Sequence, residues 1–353
     1  METGQDITIQ SDQLQKFAEE LYQKAGVGTE HAKLMADLQV ETDLRNVHSH
    51  GTRMLPGYIR SILKGEINPA PQIHVAQEGT AFAVIDGDNG LGHPASVLAM
   101  KMAIEKAKSV GVAATGVRNA GHFGAAACYS MMAADTNMIG FSTTNTGRAT
   151  VVAPGGITPV TANNALSYAL PTGNEQPIVL DMACGASSWG KISTLKMYGE
   201  PIPENWLLNT EGQPTVDPNQ GPLLMPAAGP RGYGLALTMG ILAGPLVGGL
   251  MACNKNHGEP SEHFFWVINV ASFTDFEEYI AEIDRGIKAI QASKTMGNAD
   301  QVYLPGELEW RKREAWVANG IPLHVDHLKG LAGIAEELGI DIFWKWETNS
   351  GGF

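Results

Sequence analysis

Apolar side chains near the beginning of the chain recur at the spacing of a helix. Leu14, Phe17 and Leu21 fall on one face of a predicted helix, which Ser11 can cap. A second helix is predicted over about residues 30–42. The chain is therefore expected to open with a helical hairpin that buries one apolar stripe from each helix.

A histidine-rich connection follows this hairpin. The segment VHSHG covers residues 47–51, and a third helix is predicted directly after it, with Pro56 in the first turn, where proline is tolerated. His50 is thus expected just before a helix N-terminus. The free N–H groups at such a terminus suit a carboxylate and disfavour a charged imidazole.

The pattern changes near residue 80 to short β-like runs that alternate with helical stretches. The runs are rich in apolar and β-branched residues and predict strands over residues 80–86, 111–117, 138–145 and 177–183. Helices are predicted over about residues 95–109 and 125–135. Such alternation is typical of an α/β region.

A loop rich in proline and glycine, residues 210–222, separates this region from a long apolar run. The nineteen residues 235–253 carry no charge, which is about the length that crosses a bilayer. Pro245 and several glycines interrupt the run, and no aromatic or basic residues bracket it. A buried core helix is therefore predicted, and no contact with a membrane is expected.

Three further elements are predicted toward the end of the chain. A capping box formed by Thr274 and Glu277 opens a helix that runs to about Ala292. Residues 301–305, QVYLP, have the composition of a last strand, and a helical tail follows them.

Composition limits the kinds of partner. The chain has 353 residues, 44% of them apolar, which is enough for two domains with buried cores. Its formal charge of −13 argues against binding to nucleic acid. Cys128, Cys184 and Cys253 are too few and too scattered for a disulfide framework, and the first residues lack the pattern of a secretory signal. A reducing, cytoplasmic setting is expected.

One glycine pattern is that of a dinucleotide-binding fold. Gly90, Gly92 and Ala95 spell GxGxxA between a predicted strand and a predicted helix. The full fingerprint also needs an acidic residue at the end of the next strand to hold a ribose hydroxyl, and residues 111–124 offer none. The sequence therefore favours a glycine turn between packed elements over a Rossmann site.

Two histidine motifs are candidates for proton transfer. His50 lies in HSHG, and His122 lies between glycines at the end of a predicted strand, where the backbone can approach a ligand closely. The pKa of imidazole lies near neutral pH, which suits general acid/base catalysis. Structural histidines are the alternative. A metal site is not predicted, because the spacing of His48 and His50 is unspecific and no HExxH motif accompanies it.

Two charged residues are candidates for ligand binding. Asp181 ends an apolar predicted strand, where a carboxylate can hold a ribose hydroxyl or orient a histidine, although a turn cap is the commoner role. Arg231 lies in a glycine-rich loop before a predicted helix, a position that suits an anionic group such as a pyrophosphate.

These motifs, in this order and over nearly the whole chain, resemble the malate/L-lactate dehydrogenase family that is distinct from the Rossmann enzymes. The family also contains sulfolactate and ureidoglycolate dehydrogenases, diketogulonate reductase and the piperideine- and pyrroline-2-carboxylate reductases. The matching segments are SHG with LPGY, NAGHFG, APGG, DMA with GK, GYGLAL and VYLPGE.

The resemblance implies a fold and an assembly. It implies an α/β, non-Rossmann fold like that of sulfolactate dehydrogenase, with a helical N-terminal hairpin and a mixed-sheet cofactor domain. Residues 1–75 and 270–353 would form a discontinuous helical domain for substrate and dimerisation. Residues 76–269 would form the NAD(P)-binding α/β domain. A homodimer is expected.

The resemblance also implies roles for individual residues. His50 would give a proton to the substrate oxygen as hydride reaches C2, with Ser49 as a relay. In the ureidoglycolate branch the histidine that matches His122 takes the acid/base role, so the assignment between His50 and His122 is open. The cofactor-contacting positions would be His122, Phe123, Gly124, Ala125, Ala126, Thr146, Asp181, Met182, Ala183, Arg231, Pro305, Gly306 and Glu307. The substrate-binding positions would be Arg53, Met54, Tyr58, Asn163 and Lys191.

Some of these positions depart from the pattern of the family. The family usually has an arginine four residues after the SHG histidine, where this chain has Met54, with Arg53 one place earlier. A shift of one residue turns a helical side chain by about 100°. The usual GTNP motif is ANNA here, at residues 162–165, and the usual lysine of KGYGLAL is Arg231. Lys191 follows the hydroxy-acid enzymes rather than the imine reductases, in which an aspartate takes part in the relay.

The expected function is the reversible, NAD(P)H-dependent reduction of a small 2-oxo acid to the 2-hydroxy acid. The choice between NAD and NADP is not readable, because the usual ribose rule belongs to the Rossmann fold. Reduction of a cyclic imine such as piperideine- or pyrroline-2-carboxylate is an alternative. A second alternative is a family member that binds ligand without turnover, since Met54 and Asn163 stand where the family usually has arginine and threonine.

Overall fold

The computed structural model describes residues 6–346 except residues 257 and 298, and helices and strands alternate along most of the chain. The first elements are β1 (Asp6–Ile9), α1 (Ser11–Lys24), α2 (Thr29–Leu44), α3 (Leu55–Leu63), β2 (His74–Glu78), β3 (Phe82–Gly90), α4 (Gly92–Val110), β4 (Val112–Ala120), α5 (Ala127–Ala134), β5 (Met138–Asn145), β6 (Val151–Val152), β7 (Pro159–Thr161) and β8 (Leu166–Leu170). The later elements are β9 (Ile178–Met182), α6 (Trp189–Met197), β10 (Leu207–Leu208), β11 (Pro214–Thr215), β12 (Leu223–Leu224), α7 (Pro230–Ala243), β13 (Ser261–Asn269), α8 (Phe276–Gln291), α9 (Glu307–Asn319), β14 (Ile321–His324) and α10 (Val325–Leu338).

The N-terminal helical hairpin is confirmed. Leu14 and Leu21 of α1 are fully buried against α2, as the apolar spacing predicts. The helix start differs from the prediction, because Gln10 is the N-cap and Ser11 is already helical. Gln10 continues the extended backbone of β1, and its carbonyl oxygen accepts the first helical bond from Leu14 N–H at 3.0 Å.

Residues from both ends of the chain share one core. The buried side chains of α1, α2 and α3 pack with those of β14 and α10, so that Leu21, Ile59 and Leu331 are all shielded from solvent. β1 pairs antiparallel with β14, two elements that the sequence analysis did not predict as partners. The division of the chain into two domains stays a prediction.

A seven-stranded sheet forms the centre of the molecule. Its strand order is β2-β3-β4-β13-β5-β8-β9, and only β3 and β4 are parallel neighbours. Counting the directions across the sheet, β3, β4, β5 and β9 all run the same way. Because strands that run the same way end at the same edge, the loops that follow these four strands meet there.

The glycine pattern at residues 90–95 is a turn between packed elements, as the sequence analysis favours. β3 passes through it into α4, and α4 leads to the parallel strand β4. A Cβ atom added to Gly92 would lie 2.8 Å from His122 O and closer still to Gly121 O. The glycine is therefore required by the close approach of the loop after β4.

Replacing Gly92 by alanine should lower the free energy of unfolding by about 1–3 kcal/mol, because the backbone oxygens it would meet cannot move aside. Gly57→Ala in α3 is the matched control, since no atom lies within 4 Å of its added Cβ and alanine is the better helix former by about 0.5–1 kcal/mol. Urea denaturation should move the two midpoints in opposite directions. Equal midpoints would contradict the assignment of a collision to Gly92.

A smaller lobe carries its own sheet. Its strand order is β11-β10-β12-β6-β7, and α6 packs on it through Ile192 and Leu195. Strand β11 lies within residues 210–222, which were expected to form a loop.

The long uncharged run differs from its prediction. Helix α7 ends at Ala243, and two short 3-10 turns follow it instead of further helix. The run was expected to be a buried core helix, which is wrong for one side of it. Four of its apolar side chains are between 39% and 59% exposed: Leu235 and Ile241 on α7, and Leu246 and Leu250 after it. Within the described residues, no helix is long and apolar enough to cross a membrane.

Two predictions near the C-terminus also need correction. Asp275, not Thr274, caps α8, because its carboxylate accepts a hydrogen bond from Glu278 N–H at 3.0 Å. Residues 301–305 form no strand, although Pro305 O accepts one bond from Val179 N–H at 3.0 Å. A single bond of this kind places the segment beside the edge strand β9 without extending the sheet.

Candidate active site

The loop between α2 and α3 carries Ser49 and His50. It turns tightly, since His50 N–H donates to Val47 O at 2.9 Å and Gly51 N–H donates to His48 O at 3.3 Å. A 3-10 turn, Thr52–Met54, then leads into α3. His50 therefore lies just before a helix, as its sequence position predicts.

His50 is a neutral imidazole at pH 7. Burial, with a smaller contribution from the Arg53 cation, lowers the pKa of His50 to about 4. Its Nδ1 atom lies 2.8 Å from Ser49 Oγ. Its Nε2 atom has no protein partner in the part of the chain that the structure describes. One ring nitrogen is thus held by Ser49, and the other is left for a ligand.

His122 is held through one nitrogen by two groups. Gly124 N–H donates to His122 Nδ1 at 3.2 Å, and the Tyr58 hydroxyl lies 2.6 Å from the same atom. Because a backbone N–H can only donate, Nδ1 is unprotonated and the neutral ring carries its proton on Nε2. Tyr58 must then donate as well. Burial lowers the pKa of His122 to about 3, so this tautomer is the form present at pH 7.

The two candidate histidines face each other inside a larger histidine cluster. The rings of His50 and His122 are 5.7 Å apart at an angle of 28°. His263 stacks on Phe123 at 4.4 Å, and His93 is 1% exposed at the start of α4. Burial lowers the pKa of both to about 3. Among the described residues, no group of three or more histidine, cysteine or acidic side chains is arranged to hold a metal ion.

This arrangement can exchange one proton with a bound oxygen atom. His50 can take up or release a proton at Nε2 while Ser49 accepts from a protonated Nδ1. His122 offers an N–H from Nε2, but protonating its Nδ1 would oppose the Gly124 N–H. The geometry thus allows His50 to transfer a proton and His122 to donate a hydrogen bond.

Arg53 points toward α6. Its Nη1 donates to Thr194 Oγ1 at 2.8 Å, and its Nη2 donates to Gly190 O at 2.7 Å. Met54 is partly buried and packs against the core shared by α1, α2 and α3. Arg53 and Met54 therefore point to different parts of the molecule, the first to α6 and the second to the core. Their predicted contacts with substrate stay predictions.

Helix α6 lies against the loop that carries His50. A Cβ atom on Gly190 would overlap Ser49 Cβ, which shows how closely the two segments approach. Ser188 caps α6 by accepting a hydrogen bond from Lys191 N–H at 3.0 Å. The Lys191 side chain itself is exposed. A cation on this helix is therefore available close to the loop.

Asn163 holds the loop that precedes α6. Its Oδ1 accepts from Gly185 N–H at 2.6 Å, and its Nδ2 donates to Ser187 O at 2.8 Å. Both polar atoms of the amide are therefore engaged with the backbone. Its predicted contact with substrate stays a prediction.

Asp181 joins two of the loops at the common edge of the sheet. Its Oδ2 accepts a hydrogen bond from Ala127 N–H, the first residue of α5, at 3.0 Å. Loss of hydration beside neighbouring protein atoms raises the pKa of Asp181 above its ordinary value, and this effect exceeds the lowering by the Ala127 bond. Part of the residue is nevertheless exposed to solvent. The other carboxylate oxygen has no partner among the described residues. It is free to accept from a ligand.

The remaining predicted cofactor segments lie around Asp181. Pro305 is joined to β9 through Val179, so residues 305–307 run beside that strand. The start of α7, with an exposed Arg231, is fixed to the end of β9 by a bond from Ala227 N–H to Cys184 O at 2.9 Å. Five segments from distant parts of the chain gather at this edge, at residues 122–126, 146, 181–183, 231 and 305–307.

Three buried residues near the site were not predicted from the sequence: Asp43, His93 and His263. Asp43 lies between α2 and the loop that carries His50, and it is 0% exposed. Ala36, Gln39, Val40 and Asp43 follow the spacing i, i+3, i+4 and i+7, so helical periodicity alone could have placed this acid on the buried face of α2. No comparable pattern distinguishes His93 or His263.

Comparison with known proteins identifies the family. The family model described as malate/L-lactate dehydrogenase matches residues 9–332. Malate dehydrogenase of Pyrococcus horikoshii is 36% identical over 95% of this chain and 96% of its own length. Its solved structure superposes with a TM-score of 0.87 at 35% identity and covers 96% of this chain and 97% of that one.

Two further relatives are named for different activities. L-sulfolactate dehydrogenase of Methanocaldococcus jannaschii is 36% identical over 93% of this chain and 96% of its own length. Ureidoglycolate dehydrogenase (NAD(+)) of Escherichia coli K12 is 30% identical over 89% of this chain and 92% of its own length. All three relatives are named as dehydrogenases, and the name of the ureidoglycolate enzyme gives NAD(+) as its cofactor. The chain belongs to the malate/L-lactate dehydrogenase family and is an oxidoreductase with its non-Rossmann α/β fold.

Proposed function

We propose that the protein catalyses the reversible, NAD(P)H-dependent reduction of a small 2-oxo acid to the 2-hydroxy acid. The observation that carries this proposal is the pair of neutral imidazoles, His50 and His122, next to the sheet edge where the cofactor segments gather. Membership of the family supports the reaction class. The names of the relatives, malate and sulfolactate dehydrogenase, support a substrate with a second acidic group.

The residues at the sheet edge fit a dinucleotide. Asp181 offers a carboxylate oxygen with no partner among the described residues, which suits a ribose hydroxyl. Arg231 stands in the first turn of α7 with no partner in the described part of the chain, which suits a pyrophosphate. When bound, the nicotinamide supplies or accepts the hydride. The choice between NADH and NADPH is left to experiment.

His50 is the proposed proton donor for reduction. Its Nε2 would give a proton to the carbonyl oxygen, and its Nδ1–H would then remain bonded to Ser49 Oγ. His122 would hold the same oxygen through its Nε2–H without changing its own protonation state. The negative charge of the substrate would raise the pKa of His50 from its low resting value and so help to load the proton.

The substrate carboxylates need cations near these rings. Arg53 lies close enough to His50 to lower its pKa, and two of its nitrogens are turned to α6. Guanidinium has five N–H donors, so some remain for a carboxylate. Lys191 on α6 offers a second, exposed cation. We propose that these two side chains replace the family arginine that this chain lacks at position 54.

The experiment that tests the proposal follows absorbance at 340 nm with NADH and NADPH in turn. Oxaloacetate and sulfopyruvate would be tried first, then pyruvate, 2-oxoglutarate, hydroxypyruvate, ketopantoate and piperideine-2-carboxylate. Saturable oxidation of either cofactor with an oxo acid supports the proposal. Turnover of the imine alone would favour a cyclic imine reductase. Tight cofactor binding without any turnover would favour a binding protein.

We also propose that the protein is a cytoplasmic homodimer. Three free cysteines suit a reducing compartment. The outer face of α7 presents exposed leucine and isoleucine side chains, which suit a partner surface. Light scattering coupled to gel filtration should give twice the chain mass of 37.6 kDa. A mass of one chain at micromolar concentration would contradict the dimer.

A further inference from the structure

We propose that Asp43 is a positioning residue that sets the orientation of His50 from beneath the active-site loop. Its carboxylate is fully buried in the last turn of α2. It accepts a hydrogen bond from His48 Nδ1 at 2.9 Å on Oδ1, and from Thr52 N–H at 2.9 Å and Thr52 Oγ1 at 2.6 Å on Oδ2. The functional part of this inference rests on the proposed proton-donor role of His50.

The two donors flank His50 symmetrically. His48 precedes it by two residues and Thr52 follows it by two, so one carboxylate joins both ends of a five-residue turn with His50 at its centre. The loop is also pressed onto this group, because a Cβ atom on Gly51 would lie 2.5 Å from Asp43 Cγ. Gly51 therefore has to be glycine for the turn to close around the acid.

A second set of contacts fixes the loop to other helices. Gln39 Nε2 donates to Gly51 O at 3.1 Å, and Tyr22 of α1 donates to Gln39 Oε1 at 2.8 Å. Thr52 gives its hydroxyl proton to Asp43, so the same oxygen must accept from His327 Nε2–H at 3.0 Å. The acid is thus the centre of a network that joins the loop to α1, α2 and α10.

The charge of Asp43 is retained although it is buried. Burial alone would raise its pKa, but the bonds from His48 and Thr52 and the nearby ring of His327 bring the pKa below its ordinary value. The ionised form is therefore the one that accepts all three hydrogen bonds. An amide in its place would keep the shape but would turn an N–H₂ group toward one or more donors.

Among the described residues, Asp43 is hydrogen-bonded to His48 and Thr52 and not to His50, Ser49 or His122, so its effect on chemistry would be indirect. The expected effect of Asp43 is to fix the orientation of the His50 imidazole. The charged and titratable groups that bear on His50 are Arg53 from its own turn, His122 from the loop after β4 and His93 from α4. If the turn loosens, His50 should gain solvent and its pKa should rise from about 4 toward its ordinary value of 6.5.

The test compares Asp43→Asn with Asp37→Asn, an acid on the same helix whose side chain is 41% exposed and pairs with Lys33. The pKa of each histidine would be measured by the pH dependence of C2–H exchange with mass spectrometry, which needs no substrate. Kinetics at 340 nm and the Kd for the cofactor that the wild type uses, NADH or NADPH, would be measured in parallel. We expect D43N to raise the pKa of His50 and to lower kcat by about 10- to 100-fold with little change in Kd. D37N should match the wild type.

A lower melting temperature with an unchanged pKa of His50 would overturn the proposal, because Asp43 would then be structural only. An unchanged pKa together with unchanged kcat would overturn it as well. Should the wild type turn over no oxo acid, the proposed function fails, while the exchange of His50 still decides whether Asp43 positions it.

A second pair of variants covers the case in which D43N does not fold. Thr52→Val removes the hydroxyl and keeps the backbone bond to Asp43, whereas Thr52→Ser keeps both. T52V should change the pKa of His50 and kcat in the same direction as D43N, by a smaller factor. T52S should lie between T52V and the wild type. Equal behaviour of T52V and T52S would count against the network.

Discussion

Replacing His50 by alanine is expected to lower the reductive kcat by about 10² or more and to leave the affinity for the reduced cofactor, NADH or NADPH, almost unchanged. The substitution removes the proposed proton donor, whereas Asp181 and the start of α7 at the sheet edge stay in place. Steady-state rates at 340 nm and a fluorescence titration with that cofactor measure the two quantities. His74→Ala, an exposed histidine on β2, is the control for loss of an imidazole as such.

The proposed role of His50 also predicts how the rates of oxidation and reduction change with pH. The low pKa of His50, about 4, belongs to the free enzyme and should appear in kcat/KM. Oxidation of the hydroxy acid needs the neutral ring, so its kcat/KM should be level above this pKa and fall as the pH drops through it. Reduction needs the protonated ring and should weaken as the pH rises. The H50A variant should lose this limb.

An active H50A variant would move the role of proton donor to His122. Its Nε2–H tautomer, fixed by Gly124 and Tyr58, would then have to change during turnover. His122→Ala would distinguish the cases, since a group that only donates a hydrogen bond should cost less in kcat than the group that transfers the proton.

Replacing Lys255 by methionine is expected to lower the free energy of unfolding by about 3–5 kcal/mol. Lys255 Nζ lies 2.5 Å from Glu262 Oε2, and the two side chains are 1% and 6% exposed. Burial lowers the pKa of Lys255 and raises that of Glu262, so each charge depends on the other. The variant would leave a buried carboxylate with one remaining hydrogen-bond donor among the described residues, Asn145 Nδ2 at 2.8 Å.

Two controls separate burial from ion pairing. Lys108→Met removes a cation at similar distance, 2.6 Å from Glu105, but on the surface, and it should have little effect. The double variant K255M/E262Q removes both buried charges and should recover part of the stability that K255M loses. Chemical denaturation measures all three. A K255M protein as stable as the K108M protein would refute the argument.

Much of the fold was readable because local pattern and burial agree. The face of Leu14, Phe17 and Leu21 predicts α1 within a residue, and the apolar run at residues 138–145 matches β5. Prediction failed where long-range partners decide. The pairing of β1 with β14 joins residues more than 300 positions apart, and no local periodicity announces it. The apolar run of α7 was wrongly predicted to be fully buried, because composition does not distinguish a buried apolar face from an exposed one.

The candidate site divides in the same way. Ser49, His50 and His122 stand in short polar motifs, which sequence reading finds easily. What it could not supply is the proton position on His122, because that depends on Tyr58, 64 residues earlier, and on the backbone of Gly124. The orientation of the Arg53 side chain toward α6 likewise depends on a hydrogen bond to Thr194. The two residues are 141 positions apart, so no local pattern in the sequence predicts this contact.

The pairing of β1 with β14 has a consequence for the order in which the protein can assemble during synthesis. β1 leaves the ribosome first, yet its partner strand ends at His324. At about 5–20 residues per second the wait is roughly 15 to 60 s. Throughout that time the apolar faces of α1, α2 and α3 lack the strand and helix that later cover them. The nascent chain should therefore bind chaperones through the segment from β1 to α3, residues 6–63, even while the central sheet is already folding.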